Sequence, residues 1–126
     1  MEKTKPDHWS TAYQNDRVKL IDAVPLDAPL CIIVEPTNVC NFKCLMCWQS
    51  TEDYKKDGGP FSNMDMKLFE KIIDDTKSMV EKYGKIKLIK LYSTGEPLLH
   101  PQIGEMVKTI KDANICVNLE ITTNGS

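Results

Sequence analysis

Residues 30–47 read Leu30-Cys31-Ile32-Ile33-Val34-Glu35-Pro36-Thr37-Asn38-Val39-Cys40-Asn41-Phe42-Lys43-Cys44-Leu45-Met46-Cys47. The first half is a continuous apolar run of the kind a parallel strand buried on both faces requires. Pro36 ends the run, because it carries no N–H for a further ladder bond. The second half is a loop with three cysteines in a C-x3-C-x2-C spacing. A strand that delivers a polar, ligand-bearing loop at its C-terminal end is the basic unit of an α/β protein.

The rest of the chain repeats that unit. After a long loop to about Asn63, whose polar half from Thr51 to Ser62 carries no signal of regular structure, a helix begins behind a cap at Asn63 or Asp65. Met66, Phe69, Ile72, Ile73, Val80 and Tyr83 recur at helical spacing, and Gly84 stops the helix. Ile86 to Tyr92 reads as a second strand, and Ser93-Thr94-Gly95-Glu96-Pro97 as the turn at its end. A second helix from about Gln102 to Ala113 carries a stripe of Ile103, Met106, Val107 and Ile110, with Pro101 suited to its first turn. Ile115, Val117, Leu119 and Ile121 alternate along a third strand, which runs into Thr122-Thr123-Asn124-Gly125. Strands alternating with amphipathic helices imply βαβ units with right-handed crossovers and a parallel sheet. The expected fold is therefore α/β, with about three parallel strands. Residues 1–28 form a polar lead-in with a short apolar patch at Val18 to Ile21, and residues 29–126 form the folded part.

Bulk properties exclude several functions. The chain has 126 residues, the size of one domain, with 41% hydrophobic and 27% charged residues and a formal net charge of −2. The absence of a basic block argues against nucleic acid as a partner. No apolar run approaches the roughly 20 residues that span a bilayer, so no membrane partner is expected. Met1 to Pro6 is charged and polar, without the apolar stretch of a signal peptide. Five cysteines in such a chain point to a reducing cytoplasm, where clustered thiols are metal or redox groups more often than disulfides.

Thiolates are soft ligands that suit zinc or iron-sulfur clusters. Structural zinc prefers four ligands, often as two C-x2-C pairs, and here there is one C-x3-C-x2-C without a nearby fourth cysteine. Three thiolates on a 4Fe-4S cluster leave one iron open to a cofactor or substrate. The alternatives are a structural zinc site completed by His100 or another distant residue, and cysteines that merely pack. Cys31 and Cys116 lie within strand patterns and read as buried small hydrophobes. His100 reads as a solvated residue or a cap, and His8 has no identifiable partner. Lys85, Lys87 and Lys90 read as strand ends and a solvated face.

The segment from Glu35 to Cys47 resembles the signature of the radical S-adenosylmethionine (SAM) superfamily. The resemblance implies a partial (β/α) barrel and iron-sulfur oxidoreductase chemistry. It makes Cys40, Cys44 and Cys47 the ligands of a 4Fe-4S cluster whose open iron chelates SAM. Reduction of the cluster then cleaves SAM and starts radical chemistry on a peptide or small-molecule substrate. A reductant such as flavodoxin or ferredoxin is implied as the electron source. Met46 stands where the family usually has an aromatic residue near the adenine, and Trp48 is one place too late to replace it. Thr94-Gly95-Glu96-Pro97 resembles the family's glycine-glycine-glutamate motif, which binds the SAM amino group, with Thr94 in place of the first glycine. Thr122-Thr123-Asn124-Gly125 resembles its T-x-N-G segment, which places Thr123 and Asn124 at the SAM or substrate pocket; Asn-Gly is equally a plain turn signal.

From about Arg17 onward the chain is similar to members with a C-terminal SPASM-type auxiliary-cluster domain. A complete (β/α)8 barrel takes about 250 residues, so three strand–helix units imply a truncated or partial core. The competing expectations are a non-catalytic zinc or iron-sulfur module and an inactive truncation product.

Overall fold

Ile86-Lys87-Leu88-Ile89-Lys90 forms the central strand of the structure, a computed structural model that describes residues 19–126. This strand, β2 (Ile86–Lys90), is flanked by β1 (Cys31–Ile33) and β3 (Cys116–Glu120) in a parallel sheet of order β1-β2-β3. The register sets Ile32 beside Ile89 and Lys90 beside Glu120. The helices are α1 (Leu20–Ala23), α2 (Glu52–Asp57), α3 (Met66–Tyr83) and α4 (Ile103–Ala113), and 3-10 turns lie at Trp48–Ser50 and Pro97–Leu99. The expected α/β fold with three parallel strands and intervening helices is thus present. Within the lead-in, residues 1–18, with His8, lie outside the described residues; the apolar patch continues into α1.

Both long helices have the expected local causes. Asp65 Oδ1 accepts the Lys67 N–H at 2.6 Å and caps α3. Gly84 ends that helix at φ 87°, a left-handed value that favours glycine. Asn114 ends α4 at φ 52°, one of the few side-chain-bearing residues that tolerate it. No side chain caps α4, which begins at Ile103, so Pro101 lies in the turn before the helix rather than in its first turn. Phe69 and Ile73 of α3, Met106 and Ile110 of α4, and Ile86, Ile89 and Leu91 meet in one core with Val34 and Ile115.

Three expectations are corrected. The first strand is not buried: only three residues form β1, and Ile33 is 62% exposed. It is an edge of the sheet; of its apolar run, Val34 is buried in the core and Ile32 packs against it. Cys31 is accordingly exposed rather than buried, while Cys116 is half-buried. Second, the polar stretch after Thr51 is not structureless. Thr51 Oγ1 accepts the Tyr54 N–H at 3.3 Å and starts α2. Tyr54 is buried against Trp48, with ring centroids 4.4 Å apart, and Phe61 lies 6.0 Å away. The sequence Glu52 to Asp57 has no apolar period to reveal a helix, because one aromatic side chain anchors it.

Third, of the two readings of His100, the cap holds and the solvated residue does not: it ends the Pro97–Leu99 turn and is 2% exposed. Its Nδ1 accepts the Gln102 N–H at 3.1 Å, so Nε2 bears the proton donated to the Met64 carbonyl at 3.0 Å. The ring ties the turn before α4 to the turn before α3. Both ring nitrogens are occupied, so His100 does not complete a zinc site.

Because Phe69 is fully buried between sheet and helices, Phe69→Ala should cost about 3–5 kcal/mol of stability. Exposed Lys71, paired with Asp75, should change it by less than about 0.5 kcal/mol when replaced by alanine. Urea unfolding of the two variants measures the contrast.

Candidate functional site

The loop that carries the cysteines is stitched to the turn after β2 by consecutive contacts. Glu35 Oε1 accepts from both the backbone N–H, at 2.7 Å, and the hydroxyl of Thr94. The Glu96 N–H donates to the Val39 carbonyl at 2.8 Å. Between these rungs Gly95 lies so close to the loop that a Cβ there would sit 2.0 Å from the Thr37 carbonyl oxygen. Only glycine permits that approach. The far side of the loop is held by Thr37 Oγ1, donating to the Ser62 carbonyl at 3.2 Å, and by Asn38, which binds Pro60 and Ser62.

Glu96 then joins the second turn to the third. Its carboxylate is 3% exposed. Oε1 accepts the Leu98 N–H at 3.0 Å and the Thr123 hydroxyl at 2.7 Å, and Oε2 accepts the Asn124 N–H at 2.7 Å. Burial alone would push its pKa up, but the bonds from Asn124, Leu98 and Thr123 outweigh it and hold the carboxyl below the ordinary glutamate range. The third turn also reaches the cysteine loop directly: Asn124 Nδ2 donates to Asn41 Oδ1 at 2.9 Å.

All three segments border one cavity of about 270 Å³. Cys40, Cys44, Tyr92, Glu96, Thr123 and Asn124 are among its walls. It opens at the C-terminal ends of the strands, where α/β folds place their chemistry. A larger cavity of about 450 Å³ lies at the other end of the sheet, beside Leu30 and the α3–β2 turn. Lys82, Lys85 and Lys87 border it, and none of the three motifs reaches it.

The remaining sequence-singled residues fall as follows. Cys40, Cys44 and Cys47 are free thiols, and the Cys47 N–H bonds the Cys44 carbonyl at 3.0 Å, turning the loop back on itself. Among the described residues no three Cys, His, Asp or Glu side chains converge at metal-binding spacing. The structure brings Cys40 and Cys44 to the cavity wall, and Cys47 is not part of it. Met46 is 90% exposed and away from the cavity, and Trp48 packs on Tyr54 instead. Pro97 is buried in the first position of its 3-10 turn. Burial pushes the Cys116 thiol up, against the opposing pull of Lys111 and Lys85, and keeps it protonated. Among the described residues no helix is long and apolar enough to cross a membrane.

Sequence reading passed over Glu35, Thr37, Asn41 and Tyr92. Glu35 carried a usable signal, a carboxylate closing an apolar run. The partners of the others lie far along the chain: Ser62 is 25 residues from Thr37, Glu120 is 28 from Tyr92, and Asn124 and Ser126 are 83 and 85 from Asn41.

Two variants separate these contacts. Gly95→Ala should lower stability by about 1–3 kcal/mol, because the new methyl meets backbone that cannot step aside. Glu96→Gln should lower the melting temperature at neutral pH. Since the folded pKa of Glu96 is depressed, its contribution is complete above the unfolded value of about 4.3. It disappears as pH falls through the folded value. The gap between wild type and Glu96→Gln should therefore close on acidification below about pH 4, as read by thermal melts across pH.

Residues 34–126 match the model of the Radical SAM superfamily. The chain is 38% identical over 96 residues to the tungsten-containing aldehyde ferredoxin oxidoreductase cofactor-modifying protein of Pyrococcus furiosus, covering 75% of this chain and 24% of that protein. It is 35% identical over 89 residues to a probable GTP 3',8-cyclase of Methanocaldococcus jannaschii, covering 71% and 26% respectively. Among solved structures it resembles BtrN in complex with AdoMet and 2-DOIA, with a TM-score of 0.65 and 24% identity over 78% of this chain and 37% of that one. That likeness shows the shared fold. The chain spans about a quarter of the length of the curated relatives it matches. With a family match over most of its length and a parallel sheet whose three C-terminal turns meet at one cavity, this chain belongs to the radical SAM superfamily.

Proposed function

We propose that this chain is the cluster- and SAM-binding part of a radical SAM enzyme acting on a peptide or small-molecule substrate. The observation that carries the reading is the shared wall: thiols of the C-x3-C-x2-C loop and the carboxylate of Glu96 border the same cavity. The donor set fits the group. Cys40, Cys44 and Cys47 are unpaired thiols on one short loop whose stem is fixed by Gly95, and thiolates are the ligands of iron-sulfur clusters. In this reading these three cysteines hold a 4Fe-4S cluster. When bound, the cluster supplies the electron for reductive cleavage of SAM.

The residues around it have separate tasks. Glu96 remains a carboxylate because its pKa is lowered, and its three internal bonds leave an acceptor site on Oε2. A buried anion with one open lone pair suits the SAM ammonium. Thr123 and Asn124 set the carboxylate's orientation through the bonds they donate to it. Gly95 and Glu35 hold the loop against the turn. Pro97, next to Glu96, starts the 3-10 turn that returns the Leu98 N–H to it. Met46, if it meets the adenine, does so by a rearrangement of the Leu45–Met46 tip, which is the most exposed part of the loop. A small one-electron donor of the flavodoxin or ferredoxin type completes the scheme.

Anaerobic reconstitution should give about four irons and four sulfides per chain. Cys40→Ala, Cys44→Ala and Cys47→Ala should each abolish that yield, while Cys31→Ala and Cys116→Ala should not. Added SAM should perturb the EPR spectrum of the reduced sample. Retention of zinc without sulfide would sink the proposal.

A further inference from the structure

The two faces of the sheet differ in chemistry. Along a strand successive side chains alternate between faces. Ile89 and Leu91 point into the core with α3 and α4. Lys90 and Tyr92 therefore lie on the other face, and β3 sets Glu120 directly beside Lys90. There they form a small polar cluster. Lys90 Nζ is 3.7 Å from Glu120 Oε1 and 5.4 Å from the centre of the Tyr92 ring. The Tyr92 hydroxyl donates to the same Glu120 oxygen at 2.5 Å. A parallel sheet covered by core on both faces would be apolar there. The ion pair and the phenol make the strand-end part of this face polar, next to the apolar Leu88 and Ile33 on the same face. Tyr92 also borders the 270 Å³ cavity shared by Cys40, Cys44 and Glu96.

The direction of the Tyr92 bond decides what it can recognise. A phenol has one proton and two lone pairs. Its proton is committed to the Glu120 carboxylate, and that charge-assisted bond makes the phenol oxygen a better acceptor. What remains for a ligand is acceptance only.

We propose that Tyr92 is a specificity-determining residue of this cavity, one that accepts a hydrogen bond from a hydroxyl or N–H of the substrate. Glu120 is its positioning residue, and Lys90 pairs with Glu120 at 3.7 Å. The site favours substrates that present a donor over analogues in which that donor is methylated, since an acceptor covered by the bound substrate and left unpaired is costly. The inference rests on reading this cavity as the reaction site, and it adds the chemistry of the substrate's contacting group.

The test uses the reconstituted chain labelled with tyrosine 13C at Cζ. The chain has four tyrosines, and the signal missing from Tyr92→Phe identifies Tyr92. N-methylacetamide and erythritol, which carry donors, should shift the Tyr92 signal. N,N-dimethylacetamide, which only accepts, should do so at least about fivefold more weakly, the ratio one hydrogen bond is worth. Glu120→Gln should reduce that preference, because a neutral amide can itself donate to the phenol oxygen. A merely structural role for Tyr92 would leave donors and acceptors indistinguishable, and that result would overturn the proposal. So would loss of the probe response under saturating SAM, which assigns the acceptor to the cofactor. Sulfide analysis of the same samples keeps the two readings apart. A full cluster without donor preference rejects the Tyr92 inference alone, whereas donor preference without sulfide rejects the cluster reading alone.

Discussion

The close approach of Gly95 to the Thr37 carbonyl is the contact on which the rest of the site depends. It is steric and therefore unforgiving: a single added carbon would lie 2.0 Å from a backbone oxygen. Because the two backbones meet there, Glu35 can reach Thr94 on one side and the Glu96 N–H can reach Val39 on the other. The start of the cysteine loop is thus placed by the second strand's turn, not by the loop's own sequence. The same turn carries Glu96, so the position of the thiols and that of the buried carboxylate are linked through one glycine.

Glu96 extends the linkage to the third strand. A carboxylate that is nearly inaccessible is tolerable only when its lone pairs are satisfied. Here the satisfaction comes from Leu98 in its own turn and from Thr123 and Asn124 after β3. Three turns that are far apart in sequence become one rigid rim. The role of each motif is consequently double: a residue that reads as a binding group also holds another motif in place. Asn124 illustrates it, with its N–H on Glu96 and its side chain on Asn41.

The opposite faces of the sheet show a division of labour. One face is spent on stability, through Phe69, Ile73, Met106 and Ile110 against Ile89 and Leu91. The other carries Lys90, Tyr92 and Glu120, whose mutual bonds hold them in fixed directions. Polar groups in a strand cost stability unless they are paired with each other or with a ligand. Of the three, Tyr92 borders the cavity at the strand ends.

Much of this was legible in the amino-acid sequence. The order of strands and helices, the stop at Gly84, the core stripe of Phe69, Ile73, Met106 and Ile110, and the three motif-bearing turns all follow from short-range patterns. Those patterns work because periodicity, capping and turn chemistry act over a few residues. What the sequence could not decide was what lies beside what. The apolar run at Leu30 to Val34 looks the same whether its strand is central or at an edge, so the exposure of Cys31 and Ile33 emerged only with the sheet order. Helix α2 depends on Tyr54 finding Trp48 and Phe61, and His100 on Met64, contacts with no local trace. The Glu35–Thr94, Glu96–Asn124 and Tyr92–Glu120 bonds join residues 59, 28 and 28 positions apart. Residue identity and spacing determined which chemical groups this protein carries at its strand ends. Only the tertiary structure decided which of them share a wall, because proximity between strands is set by packing and not by position along the chain.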